Sequence, residues 1–165
     1  MPVHAAFADL PAEVAATRRM LAAFPDAHAA YTPHAKSRSL AELATHVATI
    51  PMLGVSVLTA EFRDVTTRAP LIPATTAADL VRRFEDSVAP MLAALDAVDA
   101  AALDQTWSLR AGDKVLRGGP RAGMFRVMTL SHLIHHRAQL SVYYRLVGSP
   151  VPGMYGPSAD DAIPA

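Results

Sequence analysis

Apolar side chains recur at steps of three or four along most of this chain, the period of a helix with one buried face. Pro and Gly divide the pattern into four stretches. The first opens at Asp9 with Pro11 in its first turn, where a missing amide is tolerated, and carries Leu10, Val14, Thr17, Met20, Leu21 and Phe24 up to Pro25. The second opens on Ser39-Leu40-Ala41-Glu42. That is a capping box: the hydroxyl suits a free amide of the first turn and the Glu reaches back to the cap amide. Its face is Leu43, His46, Ile50, Leu53 and Val57, running to about Phe62, and Pro51 predicts a bend because it removes the hydrogen bond to the Val47 carbonyl. The third opens on Thr76 to Asp79 and buries Leu80, Phe84, Val88, Met91, Leu92 and Leu95. Periodicity resumes on both sides of Pro90, which predicts a kink rather than a stop. The last stretch, about 122–147, carries Phe125, Met128, His132, His136, Gln139, Leu140, Tyr143 and Leu146 on one face. It ends at Gly148, suited to a left-handed cap, with Pro150 beyond.

Between these stretches the helical period fails. Residues 1–8 read as a loose arm, Tyr31 to Ser37 as a turn, and Val65 to Pro73 as a connection. Trp107-Ser108-Leu109, Ala111-Gly112-Asp113 and Lys114-Val115-Leu116 read as a small hairpin or an ordered loop. Val151 to Ser158 holds too many Pro and Gly for a helix and reads as extended coil. With no internal repeat or linker, the expectation is one domain over residues 1–165. Its fold class is all-α, a four-helix bundle with that hairpin or loop before the last helix.

Composition narrows the chemistry. The chain has 165 residues, 52% apolar and 18% charged, enough to bury a core and too apolar for disorder. Lys and Arg balance Asp and Glu at 15 each, so no electrostatic footprint for nucleic acid is expected. No run of 18 apolar residues occurs and the first residues lack a secretory core, so the expected setting is cytoplasmic, without a membrane partner. Cysteine is absent, which removes disulfides, a Cys nucleophile and thiolate ligands. Any metal must be held by His, Asp or Glu. No Gly-rich phosphate loop or G-x-S-x-G occurs, and Asp160-Asp161 reads as a solvated pair in the tail.

Seven histidines remain, and their placement matters. His132 and His136 are four apart, so on a helix their rings lie one above the other. That is the spacing of the zinc histidines in H-E-x-x-H, here without the Glu. His46 sits mid-stripe on another helix. The three form a candidate facial triad that leaves coordination positions open for water or substrate, and imidazole ligands suit Zn, Ni, Cu or Fe. The alternative is that they are core histidines satisfied by hydrogen bonds, and spacing alone does not choose. Gln139, one turn beyond His136, is placed to support a ligand from behind. His135 points about 100° away around the helix. His34 lies in a turn, His4 and His28 read as surface residues, and Arg137 reads as a surface or interface charge. Tyr143, Tyr144 and the methionines read as packing.

The run from His132-Leu-Ile-His-His136-Arg-Ala-Gln139 to Tyr144-Arg-Leu, continuing into Pro150-Val-Pro-Gly-Met-Tyr-Gly-Pro-Ser158, resembles the closing helix and tail of the DinB-like (DinB/YfiT) family. Pro33-His34-Ala-Lys-Ser37 followed by Leu40 to Ala48 resembles that family's approach to its second helix. Ala138 stands where the family commonly has Gly, one methyl more. The resemblance implies a four-helix bundle, usually a homodimer, with a divalent metal, Zn or Ni, on His46, His132 and His136. Some relatives are similar to thiol S-transferases or thiol-dependent isomerases that use small bacterial thiols. Two functions follow as expectations. One is a metal-dependent enzyme, a transferase using a low-molecular-weight thiol or a hydrolase. The other is a non-catalytic, homodimeric metal-binding protein with a structural or interaction role. No residue is assigned as catalytic; His34 and Tyr155 are the candidates for a general base.

Overall fold

A computed structural model describes residues 3–161. Its helices are α1 (Leu10–Ala22), α2 (Leu40–Thr49), α3 (Pro51–Thr59), α4 (Ala77–Ala97), α5 (Arg121–Phe125) and α6 (His132–Leu146). Three strands stand among them, β1 (Phe62–Asp64), β2 (Thr106–Ala111) and β3 (Lys114–Pro120). A π turn, Arg126–Ser131, joins α5 to α6. The α2–α3 and α5–α6 pairs each follow one line of chain, so the helical part has four rods. α4 packs against α1, α2 and α3, and α6 packs against α1 and α2.

Local chemistry sets the ends of these elements. The Ser39 side chain accepts from the Glu42 amide at 3.3 Å while the Glu42 carboxylate accepts from the Ser39 amide at 2.7 Å. Thr76 accepts from the Asp79 amide at 3.2 Å. Pro51 separates α2 from α3, and the Ile50 amide splits its donation between the carbonyls of His46 and Val47. Gly148, at φ +72°, closes α6 in a left-handed conformation, with the Ser149 amide donating to the Tyr144 carbonyl at 2.9 Å. The stripes point inward as expected on α1, where Leu10, Val14, Thr17, Met20 and Leu21 are all buried. On α4 the buried side is Leu80, Phe84, Ser87, Val88, Met91 and Leu95, and Leu92 is exposed. The helix runs through Pro90 without a stop.

The all-α expectation is overturned. The hairpin forms, turning at Gly112 with φ +56°, but it does not stand alone. β1 pairs in parallel with β2, Phe62 opposite Ser108 and Asp64 opposite Arg110, giving a three-stranded mixed sheet in the order β1-β2-β3. The chain expected to continue the second helix to Phe62 leaves it at Thr59. Arg121 holds that end: its buried guanidinium donates to the carbonyls of Val57 and Ala60 at 2.5 and 2.6 Å. These are last-turn and cap carbonyls that have no partner within the helix. The sheet thus closes one end of the bundle and hangs the 65–76 connection beside α2. Thr45, buried on α2, accepts from the Ala74 amide at 2.8 Å and pins that connection.

Four further expectations change. The arm is not wholly loose: residues 3–7 form a 3-10 turn and buried Phe7 meets Phe125, ring centroids 4.7 Å apart. Asp160 is not simply solvated, since it accepts from Arg145 and from the Val151 amide, tying the tail to α6. The stripe read on the last helix is buried only at Phe125 and Leu140; Met128, His132, His136, Gln139 and Tyr143 are half-buried on its flank and Leu146 is exposed. The core side of α6 is Leu133, Arg137, Leu140 and Tyr144. Arg137, read as a surface charge, is 2% exposed. The α2–α3 stretch Leu40–Thr59 is long and apolar enough to cross a membrane by length and composition, and 61% of its most apolar window is buried within the bundle.

Candidate metal centre

Two rods bring the histidines together. α2 carries His46 three residues before its last residue, Thr49, and α6 carries His132 at its first position and His136 one turn later. The π turn before His132 widens the backbone by one residue per turn, so the register of the histidines is set there rather than by a continuous α-helix. Gly54 lets α3 lie close against this turn: a Cβ on it would meet Phe125 and Thr129 side-chain atoms at 3.0 Å.

The three rings face one another. Their centroids are 4.6–5.0 Å apart, and one ring nitrogen from each lies within 4.8 Å of the other two. His132 Nδ1 is 3.2 Å from the Met128 carbonyl, and His136 Nδ1 is 2.7 Å from Gln139 Oε1. Both partners are acceptors, so each Nδ1 carries the proton and each Nε2 keeps a lone pair. His46 Nε2 stands 3.2 Å from His132 Nε2. A tetrahedral ion with Zn–N bonds of about 2.0–2.1 Å requires nitrogens about 3.3 Å apart. The His46–His132 pair stands at that separation and the third nitrogen within 4.8 Å of both, a donor set compatible with a borderline divalent ion.

All three rings are half-buried, and burial is the main reason each is held below the ordinary histidine pKa. His46 is pushed down to about 3, by burial first and then by the positive charge of Arg38, the neighbouring rings and Arg68. For His132 the Met128 carbonyl, and for His136 the Gln139 amide, partly oppose the shift. Neutral imidazoles with free lone pairs are the form that binds a metal.

A cavity of about 790 Å³ opens beside His46 and His132, walled by Ile50, Leu53, Phe62 and Met128, with Arg63 and Arg68 among its polar residues. A second, of about 360 Å³, touches His46, Arg38 and Arg68, and a third, of about 440 Å³, touches His136, Gln139 and Arg38. The other expected residues fall elsewhere. His135 is exposed and packs edge-on against His136. His34 is exposed and its Nδ1 accepts from the Lys36 amide at 3.1 Å. His28 is an exposed turn residue, and the side chain of His4 lies outside the described part. Tyr155 lines none of these cavities, and its hydroxyl sits between Glu13 and Arg137. Tyr144 packs in the core with its hydroxyl donating to the Met20 carbonyl at 2.9 Å.

Sequence reasoning missed Arg38, Arg63 and Arg68. Nothing in their local spacing marks them, because they come from a turn, a strand and a loop.

A model of the DinB family matches residues 4–164. Among solved structures, a DinB-like protein from Bacillus cereus superposes with a TM-score of 0.69 at 21% identity, covering 91% of this chain and 95% of its own. A DinB-like protein from Bacillus subtilis superposes with a TM-score of 0.63 at 21% identity, covering 85% of this chain and 91% of its own. None of the curated proteins matches the chain in sequence.

Proposed function

The chain belongs to the DinB family, and from that premise we propose that it is a divalent-metal protein whose ion sits on His46, His132 and His136. The observation that supports this reading is the convergence of the rings: Nδ1 of His132 and of His136 is held by an acceptor, and one nitrogen from each of the three rings lies within 4.8 Å of the others. Three half-buried imidazoles, each held below the ordinary histidine pKa, keep lone pairs that a cation would join. Zn or Ni suits imidazole-only ligation.

We propose further that the site is catalytic, a thiol S-transferase or hydrolase centre. A bound divalent ion with open positions supplies Lewis acidity, lowering the pKa of a thiol or water to near neutrality. The protein's own contribution is positional. Gln139 fixes the His136 ring, the Met128 carbonyl fixes His132, and Ile50, Leu53 and Phe62 give the cavity beside them an apolar wall. A small thiol fits as cosubstrate because the chain has no cysteine. His34 is occupied by its own turn and Tyr155 by Glu13 and Arg137, so neither serves as the base in this reading.

The partner reading is a second copy of this chain. Val142 and Leu146, one turn apart on α6, are 57% and 56% exposed, an apolar strip suited to a helix-to-helix contact. Light scattering in solution checks it, and a monomer at micromolar concentration sinks it. The cytoplasm is the expected setting.

His46→Ala should abolish stoichiometric zinc uptake in elemental analysis while leaving the helical circular-dichroism spectrum intact. Unchanged metal content would refute the triad. Cobalt-substituted protein then separates the two roles. A catalytic centre changes its visible spectrum when a small thiol is added, and a purely structural centre, the alternative, does not.

A further inference from the structure

Most arginines of this chain are engaged by other groups of the fold. Arg18, Arg82, Arg83, Arg126, Arg137 and Arg145 each pair with a carboxylate. Arg19 and Arg121 are spent on backbone carbonyls and Arg110 on Ser108 and the face of Phe62, while Arg117, with no such partner among the described residues, lies on β3 against a separate hollow beside Ser131 and His135. Arg38, Arg63 and Arg68 have no side-chain hydrogen bond or ion pair among the described residues, and all three line the cavities around the histidines. They come from the turn before α2, from β1 and from the loop after it, so the fold gathers them; no local motif does.

Their charges act on the same small volume. Arg68 is partly buried and its pKa is lowered, by desolvation first and then by the charges of Arg63 and Arg38. The field of Arg38 reaches all three histidines. Two carboxylates also face these cavities, and hydrogen bonds hold both in the charged form, Glu42 near enough to Arg38 to feel its charge. Glu42 accepts from the Ser39 amide, and Asp64 accepts from Thr66 and the Gly112 amide. Three guanidinium groups against two carboxylates leave a net positive charge around the cavities, and in the larger one Arg63 and Arg68 outnumber Asp64, an excess that an added anion neutralises. Guanidinium pairs with carboxylate in a two-bond fork. The remaining wall is apolar, and about 790 Å³ is the size of a small-molecule site.

We infer that this cavity takes an organic acid, its anionic head at Arg63 and Arg68 and its apolar body along Ile50, Leu53 and Phe62. The reactive end of such a molecule then lies toward His46 and His132. The inference rests on the metal reading only for calling the cavity a substrate site; the anion subsite is built from the arginines themselves. It names a carboxylate as the head, on whichever of the two reactants carries it, thiol or acceptor.

The test is calorimetric titration of the full chain, metal-free and zinc-loaded, with hexanoate, hexanol and hexyl phosphate. Hexanoate should bind at least tenfold more tightly than hexanol in both forms. Arg63→Gln with Arg68→Gln should bring the two ligands within about twofold, with zinc content unchanged. If the double variant does not fold, each single variant should lose part of the preference. Equal binding of hexanoate and hexanol to the natural chain, or an unaltered preference in the double variant, overturns the subsite. Hexyl phosphate binding more tightly than hexanoate overturns the carboxylate assignment. If zinc does not bind at all, the metal reading fails, and the metal-free titration still decides the arginines.

Discussion

On the core side of α6, the guanidinium of Arg137 meets Glu13 at 2.6 Å, Thr17 at 3.1 Å, the Glu13 carbonyl at 3.0 Å and the Tyr155 hydroxyl at 2.7 Å. On its flank, one residue away in sequence, His136 joins His132 and His46 in a cluster whose inward nitrogens have only one another. Both clusters are polar groups drawn out of water by the same helix. The first is closed: charge meets charge, and the tail tyrosine fills a remaining site. The second is open: Nδ1 of His132 and of His136 is partnered outside the cluster, and no carboxylate or backbone group closes its inner side among the described residues. A closed polar network fixes a fold, because losing one member strands the others in a poorly polarisable interior. An open one is completed by something the chain does not contain.

The sharpest way to break this comparison is Arg137→Ala. It leaves the Glu13 carboxylate buried without its counter-charge, which costs about 3–5 kcal/mol. For a chain of this length that is a fall in Tm of roughly 10 °C or more. Replacing both partners, Glu13→Leu with Arg137→Met, should recover much of the loss, since an apolar pair of similar volume is often neutral. A fall of only a degree or two for Arg137→Ala would show that the network is decorative.

The converse holds for the histidines. In metal-free protein His132→Ala should not lower Tm by more than a surface change does. In the natural chain, zinc at a hundred times its Kd should add about 2.7 kcal/mol, a gain absent from the variant. A metal-free protein strongly destabilised by His132→Ala would mean that the triad is already satisfied without an ion.

The smallest expected effect is in the tail. Arg145 holds the Asp160 carboxyl below the usual carboxylate range, helped by the Val151 amide. A lowered folded pKa means the contact is fully present above the ordinary aspartate value and is lost as the pH falls through the lowered one. Hydrogen exchange at the Val151 amide should therefore be protected near neutrality and lose that protection in acid, with the rest of α6 unaffected. Equal protection of that amide in Asp160→Ala would remove the tail lock from the picture.

Much of this was legible in residue order. The capping box at Ser39 and Glu42, the turn at Gly112 and the left-handed close at Gly148 are decided within a few residues by backbone sterics and free amides. The buried stripe of α1 was legible because its apolar set is unbroken. β1 was not, since three residues carry no alternation and their partner on β2 is more than forty residues away. Arg137 was misread because charge usually marks an outer face; only the proximity of Glu13 on α1 makes its burial tolerable.

The i, i+4 spacing of His132 and His136 and the apolar neighbours of His46 are properties of local sequence, and they made a histidine cluster expected. Which face of α6 meets the core, and how near His46 comes, depended on a π turn and on close packing at Gly54. Those are set by side chains from several rods competing for one volume. The arginine wall is still further from the sequence: three like charges from a turn, a strand and a loop become neighbours only when the parallel β1–β2 pairing carries the connecting loop back against α2. Local propensities cannot specify that meeting, because its driving force is burial elsewhere in the molecule.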